Sequence, residues 1–184
     1  MIEIEAKELV RRVKNKSVVI IFAPKYNVGN LALELAKELS ALGHVFYMSC
    51  SKTCRHVINT LAQKGADTDK IRVIDGITKT IIPVPSEKDC GFLSAPYRFD
   101  ELMDTIKEFS KTILPDFFIF DALSTVSIYY GYTVSREIGI TVKLVNLIQL
   151  INEKCKIVFL CSNESKDDPL VQEVLTVVDE VIET

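Results

Sequence analysis

The apolar runs at residues 18–23, 117–120 and 157–161 constrain the fold more than any other feature, because none of them alternates with polar residues. A strand with one face in water alternates; a run without alternation is covered on both faces, as strands of parallel sheets are. Parallel strands also need crossover connections, and helical stripes lie between the runs.

A first helix is predicted around residues 6–14, and the first strand spans 17–23. A helix over 30–42 follows, with Leu35, Ala36, Leu39 and Leu42 on one face and Gly43 as its C-terminal cap. Val45–Ser49 reads as the second strand, and residues 54–64 as a helix ended by Gly65. Residues 72–75 form the third strand, and 76–94, with Pro83, Pro85 and Gly91, read as an irregular excursion or a short hairpin. The stripe Phe99, Leu102, Met103, Ile106 marks an amphipathic helix stopped by Pro115. The run 117–120 is a strand leading to Asp121, and 133–153 reads as a long apolar helix. Residues 156–161 are the fifth strand, 168–178 a helix with Pro169 in its first turn, and 181–182 a last short strand. The predicted fold is α/β, three layers deep, with a mostly parallel, doubly wound sheet. No repeat or linker interrupts residues 1–184, which read as one domain with a peripheral first helix at 1–16.

A chain of 184 residues can bury about 70% of its unfolded surface, so folding requires neither disulfide nor metal. Lys and Arg number 22 against 25 Asp and Glu, a net charge of −3, which speaks against nucleic acid as a partner. The cysteines are Cys50, Cys54, Cys90, Cys155 and Cys161; an odd count and no signal-like amino terminus predict a reducing, cytoplasmic setting. The apolar runs fall far short of the ~18 residues of a membrane span, so no membrane contact is expected.

Ligands of such sheets bind beyond the carboxyl ends of the strands. Residues 23–31, Ala-Pro-Lys-Tyr-Asn-Val-Gly-Asn-Leu, follow the first strand, where a phosphate-binding loop sits. Laid on G-x-x-x-x-G-K-[ST], Pro24 takes the first Gly, Gly29 matches the second, Asn30 replaces Lys and Leu31 replaces Ser/Thr. Asn30 donates a hydrogen bond without charge, Leu31 ligates no metal, and Pro24 lacks an amide N–H. The helix N-terminus behind Gly29 still offers N–H groups to a weakly held anion.

Several segments together resemble the RecA superfamily, and most its KaiC/RadA-like branch of small ATPase domains. Val45-Phe46-Tyr47-Met48-Ser49-Cys50-Ser51 and the helix after it are similar to that branch's second strand and helix. Asp69-Lys70-Ile71-Arg72-Val73-Ile74-Asp75 resembles its third strand, Phe117-Phe118-Ile119-Phe120-Asp121-Ala122-Leu123-Ser124 its Walker B strand, and Asp179-Glu180-Val181-Ile182 its closing strand. The likeness runs from about Ser17 to the end. It implies a RecA-type parallel core in which the strand at 156–161 lies between the first strand and the Walker B strand. It also implies ATP or ADP with Mg²⁺ as cofactor, with Asp121 organising the metal and Asn163 near the γ-phosphate. Where the resemblance puts a water-activating glutamate, after the second strand, stand Ser49, Cys50 and Ser51, none of them a carboxylate base. Lys25 reads as a solvated loop lysine; one group of P-loop proteins carries there a lysine that reaches across a dimer interface.

Cys50-x₃-Cys54-x-His56 offers zinc ligands without a second pair, so it reads as a strand-end and a helix-start cysteine. Tyr129-Tyr130-Gly131-Tyr132 reads as an aromatic loop over the sheet end, and Asp167 and Asp168 as N-cap and first-turn residues. The candidate cofactor-binding set is Lys25, Tyr26, Asn27, Val28, Gly29, Asn30, Leu31, Asp121 and Asn163, with no catalytic residue and no metal ligand assigned. The expected function is a catalytically degenerate RecA/KaiC-like module that regulates or binds a protein partner or its own copy and holds a nucleotide weakly. The alternative is an active ATPase with an altered loop, in which Lys25 or a neighbouring subunit's lysine supplies the missing charge.

Overall fold

Strands β1 (Val18–Ala23), β2 (Val45–Ser49), β3 (Ile71–Asp75), β4 (Cys90–Phe92), β5 (Phe117–Asp121), β6 (Lys156–Ser162) and β7 (Glu180–Glu183) form one sheet in the order β4-β3-β2-β5-β6-β1-β7. Every pairing in it is parallel. The structure, a computed structural model, describes residues 2–85, 87–130 and 139–184. The helices are α1 (Ile2–Val13), α2 (Val28–Ser40), α3 (Cys54–Gln63), α4 (Thr78–Ile81), α5 (Phe99–Ser110), α6 (Leu123–Tyr130), α7 (Ile140–Ile151) and α8 (Pro169–Leu175).

The unalternated runs are explained by burial on both faces. In β1, Val18, Ile20 and Phe22 face a core shared with α5, α6, α7 and α8, while Val19, Ile21 and Ala23 face one shared with α1, α2 and α3. β5 and β6 divide in the same way, which gives three layers, helix–sheet–helix. The strand at 156–161 lies between the first strand and the Asp121 strand, as the resemblance implied. Gly65 ends α3 with φ of +79°, a conformation that carries little strain only for glycine. Leu42, placed on the core face by periodicity, is instead exposed beyond the end of α2.

Two segments differ from the sequence expectation. Residues 76–94 are no hairpin: after α4 the chain returns as β4, a parallel edge strand beside β3, at the far edge of the sheet from β1. Residues 123–130, of which Tyr129 and Tyr130 are read as part of a loop, form α6, which buries Leu123 and Val126 against the sheet. Its Ser, Thr, Val, Ile and Tyr content carries weak helix propensity, so packing rather than propensity fixes it. The side chains of Tyr129 and Tyr130 and all of residues 131–138, including Gly131 and Tyr132, lie outside the described residues.

The sequence reads all five cysteines as thiols, yet Cys54 and Cys90 are joined in a disulfide with Cα atoms 6.1 Å apart. The parallel return of β4 brings Cys90 beneath the start of α3, a contact across 36 residues that spacing does not reveal. Cys50, Cys155 and Cys161 are buried free thiols. Burial pushes Cys161 up to about 12 and Cys50 well above the ordinary thiol range. No described helix is long and apolar enough to cross a membrane.

Under denaturing, non-reducing conditions a thiol reagent is expected to count the three free cysteines, and after reduction all five. Replacing Cys54 and Cys90 by serine is expected to lower stability by about 3–4 kcal/mol, the loop-closure effect for that separation, as read from urea midpoints.

Candidate functional site

The register aligns the strand ends so that polar residues meet there. Ala23 of β1 pairs with Ser162 of β6, and Ser49 of β2 lies between Asp121 of β5 and Asp75 of β3. Beyond the ends of β1, β6 and β5 opens a cleft of about 290 Å³. Its lining includes Lys25, Val28 and Gly29 from the first loop and helix, Asp121, Ser124 and Thr125 after β5, and Ser162, Glu164 and Ser165 after β6. Among the candidate residues, Lys25, Val28, Gly29 and Asp121 therefore share the cleft. Tyr26 points to solvent at 87% exposure, and Leu31 is buried in the core under α2. Asn27, Asn30 and Asn163 are not among the residues lining the cleft; the next residue, Glu164, is.

The first loop is a tight turn. The amides of Asn27 and Val28 both donate to the Pro24 carbonyl, at 2.7 and 3.2 Å, and α2 begins at Val28. Those two N–H groups are thus already satisfied.

Asp121 is 1% exposed, and two side chains donate to one of its carboxylate oxygens, Oδ2. Tyr47 lies opposite Ile119 in the register, so its side chain is on the same face as Asp121 and diagonal to it. Its hydroxyl donates a short hydrogen bond to Asp121 Oδ2, and Lys52 Nζ donates to the same oxygen at 2.9 Å. Burial raises the Asp121 pKa, and Lys52 and Tyr47 pull it back only in part. Burial, then the nearby Asp121 charge, drives Tyr47 well above the ordinary phenol range, so it remains a donor.

Lys52 is absent from the sequence-derived set, although it is the cation nearest to that set's one carboxylate. Its position is built by the turn after β2. The Ser49 hydroxyl donates to the Lys52 carbonyl at 2.6 Å and accepts from the Lys52 amide at 3.0 Å. Thr53 caps α3 by accepting from the His56 amide, and the Cys50 amide donates to the Asp121 carbonyl at 2.7 Å. Lys52 then reaches the N-terminus of α2: a Cβ added at Gly29 would lie 2.6 Å from its Nζ. The signal for Lys52 is the adjacency of β2 and β5, which only the strand order supplies.

Asp75, the carboxylate at the neighbouring strand end, plays another part. It accepts from the amides of Cys54, Ile77 and Thr78 and from the Thr78 hydroxyl, at 2.6–2.8 Å, and so fastens α3 and α4 to β3.

The resemblance implies Mg²⁺ with ATP or ADP here, and this donor set does not suit the metal. Mg²⁺ needs oxygen ligands in octahedral array. Asp121 Oδ2 already accepts from an ammonium and a phenol, and position 31, which would offer a hydroxyl, holds a buried leucine. Among the described residues no group of three or more His, Cys, Asp or Glu is arranged to hold a metal.

The all-parallel, three-layer sheet, with a cleft beyond β1 and β5, is a RecA-like fold, shared with two solved structures. The KaiC-like protein PH0186 of Pyrococcus horikoshii OT3 superposes with a TM-score of 0.60 at 14% identity, over 92% of this chain and 72% of its own. The flagellar accessory protein FlaH of Methanocaldococcus jannaschii superposes at 0.57 and 14% identity, over 91% of this chain and 70% of its own. No family model matches the chain. No curated protein matches it either.

The Lys52–Asp121 pair has a testable energetic consequence. Removing one partner of a buried ion pair costs about 3–5 kcal/mol, so Lys52→Met is expected to lose that much at pH 7. An acid whose folded-state pKa stands above its unfolded value keeps its proton longer in the folded state, so stability falls as pH rises. Lys52→Met removes a cation that lowers the Asp121 pKa, and its deficit is therefore expected to be smaller at pH 5 than at pH 8 in urea unfolding. Adding Asp121→Asn is expected to abolish that pH difference.

Proposed function

We propose that residues 1–184 form a RecA/KaiC-like domain that works by binding, holding a nucleotide weakly in the cleft and presenting its state to a protein partner or a second copy. The observation that supports this best is the engagement of Asp121 by Lys52 and Tyr47, with Ser49, Cys50 and Ser51 standing where the resemblance puts a water-activating glutamate. The Ser49 hydroxyl is occupied by the Lys52 backbone, and the buried Cys50 thiol is held in its neutral form. Loss of one preorganised charge-stabilising group commonly costs about 10²–10³ in rate. Here the phosphate-loop lysine, the metal-ligating hydroxyl and the carboxylate base are replaced together. The net charge of −3 supports a protein rather than a nucleic acid as partner.

One observation favours the alternative of an active ATPase with an altered loop: Lys25 and Glu164, a cation and a carboxylate, both line the cleft. The two readings separate in a turnover assay. With Mg²⁺ and ATP, hydrolysis is expected to stay below about one per second, the low end of ordinary enzymes. Faster turnover that is lost in both Lys25→Ala and Asp121→Ala would establish the ATPase. Binding itself is read from thermal unfolding, where nucleotide at 100 times its Kd adds about 2.7 kcal/mol, a rise of about 2–4 °C per kcal/mol.

A further inference from the structure

A phosphate that enters beside Gly29 approaches Asp121, and two anions at that range repel unless a cation lies between them. P-loop sites place a divalent ion there. In this chain a cation is already in position. Lys52 Nζ lies 2.9 Å from Asp121 Oδ2 and 2.6 Å from the point where a side chain at position 29 would begin. Gly29, Asp121 and Ser51, the residue before Lys52, all line the cleft, and the ammonium lies between the first two, behind that lining.

The arrangement is held rather than incidental. The Ser49 hydroxyl grips the backbone of Lys52 through both its amide and its carbonyl, and α3 starts immediately after it. The Lys52 side chain is 20% exposed, against 2% for that of Asp121, so it is the member of the pair that reaches solvent. An ammonium has three N–H donors, so one engaged with Asp121 leaves others for a ligand. A side chain at position 29 would have to displace the end of the flexible Lys52 chain.

We infer that Lys52 is the resident cation of this site: its tethered ammonium takes the divalent ion's place between Asp121 and a nucleotide phosphate, so that nucleotide binds without metal. This rests on the binding reading above and adds to it what neutralises the phosphate.

The test is calorimetric titration of the full chain with ATP and with ADP, in EDTA and in Mg²⁺. The wild-type affinity is expected to agree between the two conditions to within about twofold. Lys52→Gln is expected to lose about tenfold or more in EDTA, whereas Lys52→Arg keeps metal-independent binding. Wild-type binding that is about tenfold or more stronger with Mg²⁺ would overturn the inference and leave the binding reading intact. So would a Lys52→Gln affinity in EDTA equal to that of the wild type. No saturable binding of either nucleotide under either condition would overturn both. The wild-type comparison decides alone if the glutamine variant fails to fold.

Discussion

Strands covered on both faces leave polar side chains few places to go, and this constraint organises the molecule. Along β1, β5 and β6 nearly every position is apolar core, so chemistry is confined to the strand ends and the turns after them. Parallel register then brings those ends into one row, with Asp75, Ser49 and Asp121 on adjacent strands and Ser162 beside Ala23. A carboxylate in that row is buried, and a buried carboxylate without partners is strongly disfavoured. Among the described residues no buried side-chain polar atom lacks a hydrogen-bond partner.

The two buried aspartates meet this demand in different ways, and the difference assigns their roles. Asp75 is satisfied by three backbone amides and the hydroxyl of Thr78, all within the connections around β3, and it serves as a fastener. Asp121 is satisfied by a buried phenol and by an ammonium on a long, partly exposed side chain. Backbone amides cannot leave without unfolding the turn. An ammonium can shift its donors toward an entering anion while keeping one on the carboxylate.

Much of the architecture was legible in the sequence because it depends on periodicity. The unalternated runs 18–23, 117–120 and 157–161 became strands, and the Phe99, Leu102, Ile106 stripe became α5. What stayed hidden depends on contacts distant in the chain. Helix α6 owes its form to packing of Leu123 and Val126, and the disulfide joins residues 36 apart through a strand too short to stand out. In the site, Asp121 and Gly29 are readable because each ends or follows an apolar run in a known frame. Lys52 is not, since its reach to Asp121 spans 69 residues and depends on β2 lying next to β5.

Gly29 ties these observations together. It is the single position that matches the phosphate-loop frame, and in the turn before it two amides donate to the Pro24 carbonyl. Its backbone needs no special conformation, as the positive-φ glycines are Gly65 and Gly139. The close approach comes from the other side: the Lys52 ammonium reaches the N-terminus of α2, 2.6 Å from where a Cβ of residue 29 would stand. The same absence of a side chain that would admit a phosphate admits a lysine from the next element over. The N-terminus of α2 thus has a positive charge beside it, supplied from the turn after β2 and anchored on Asp121.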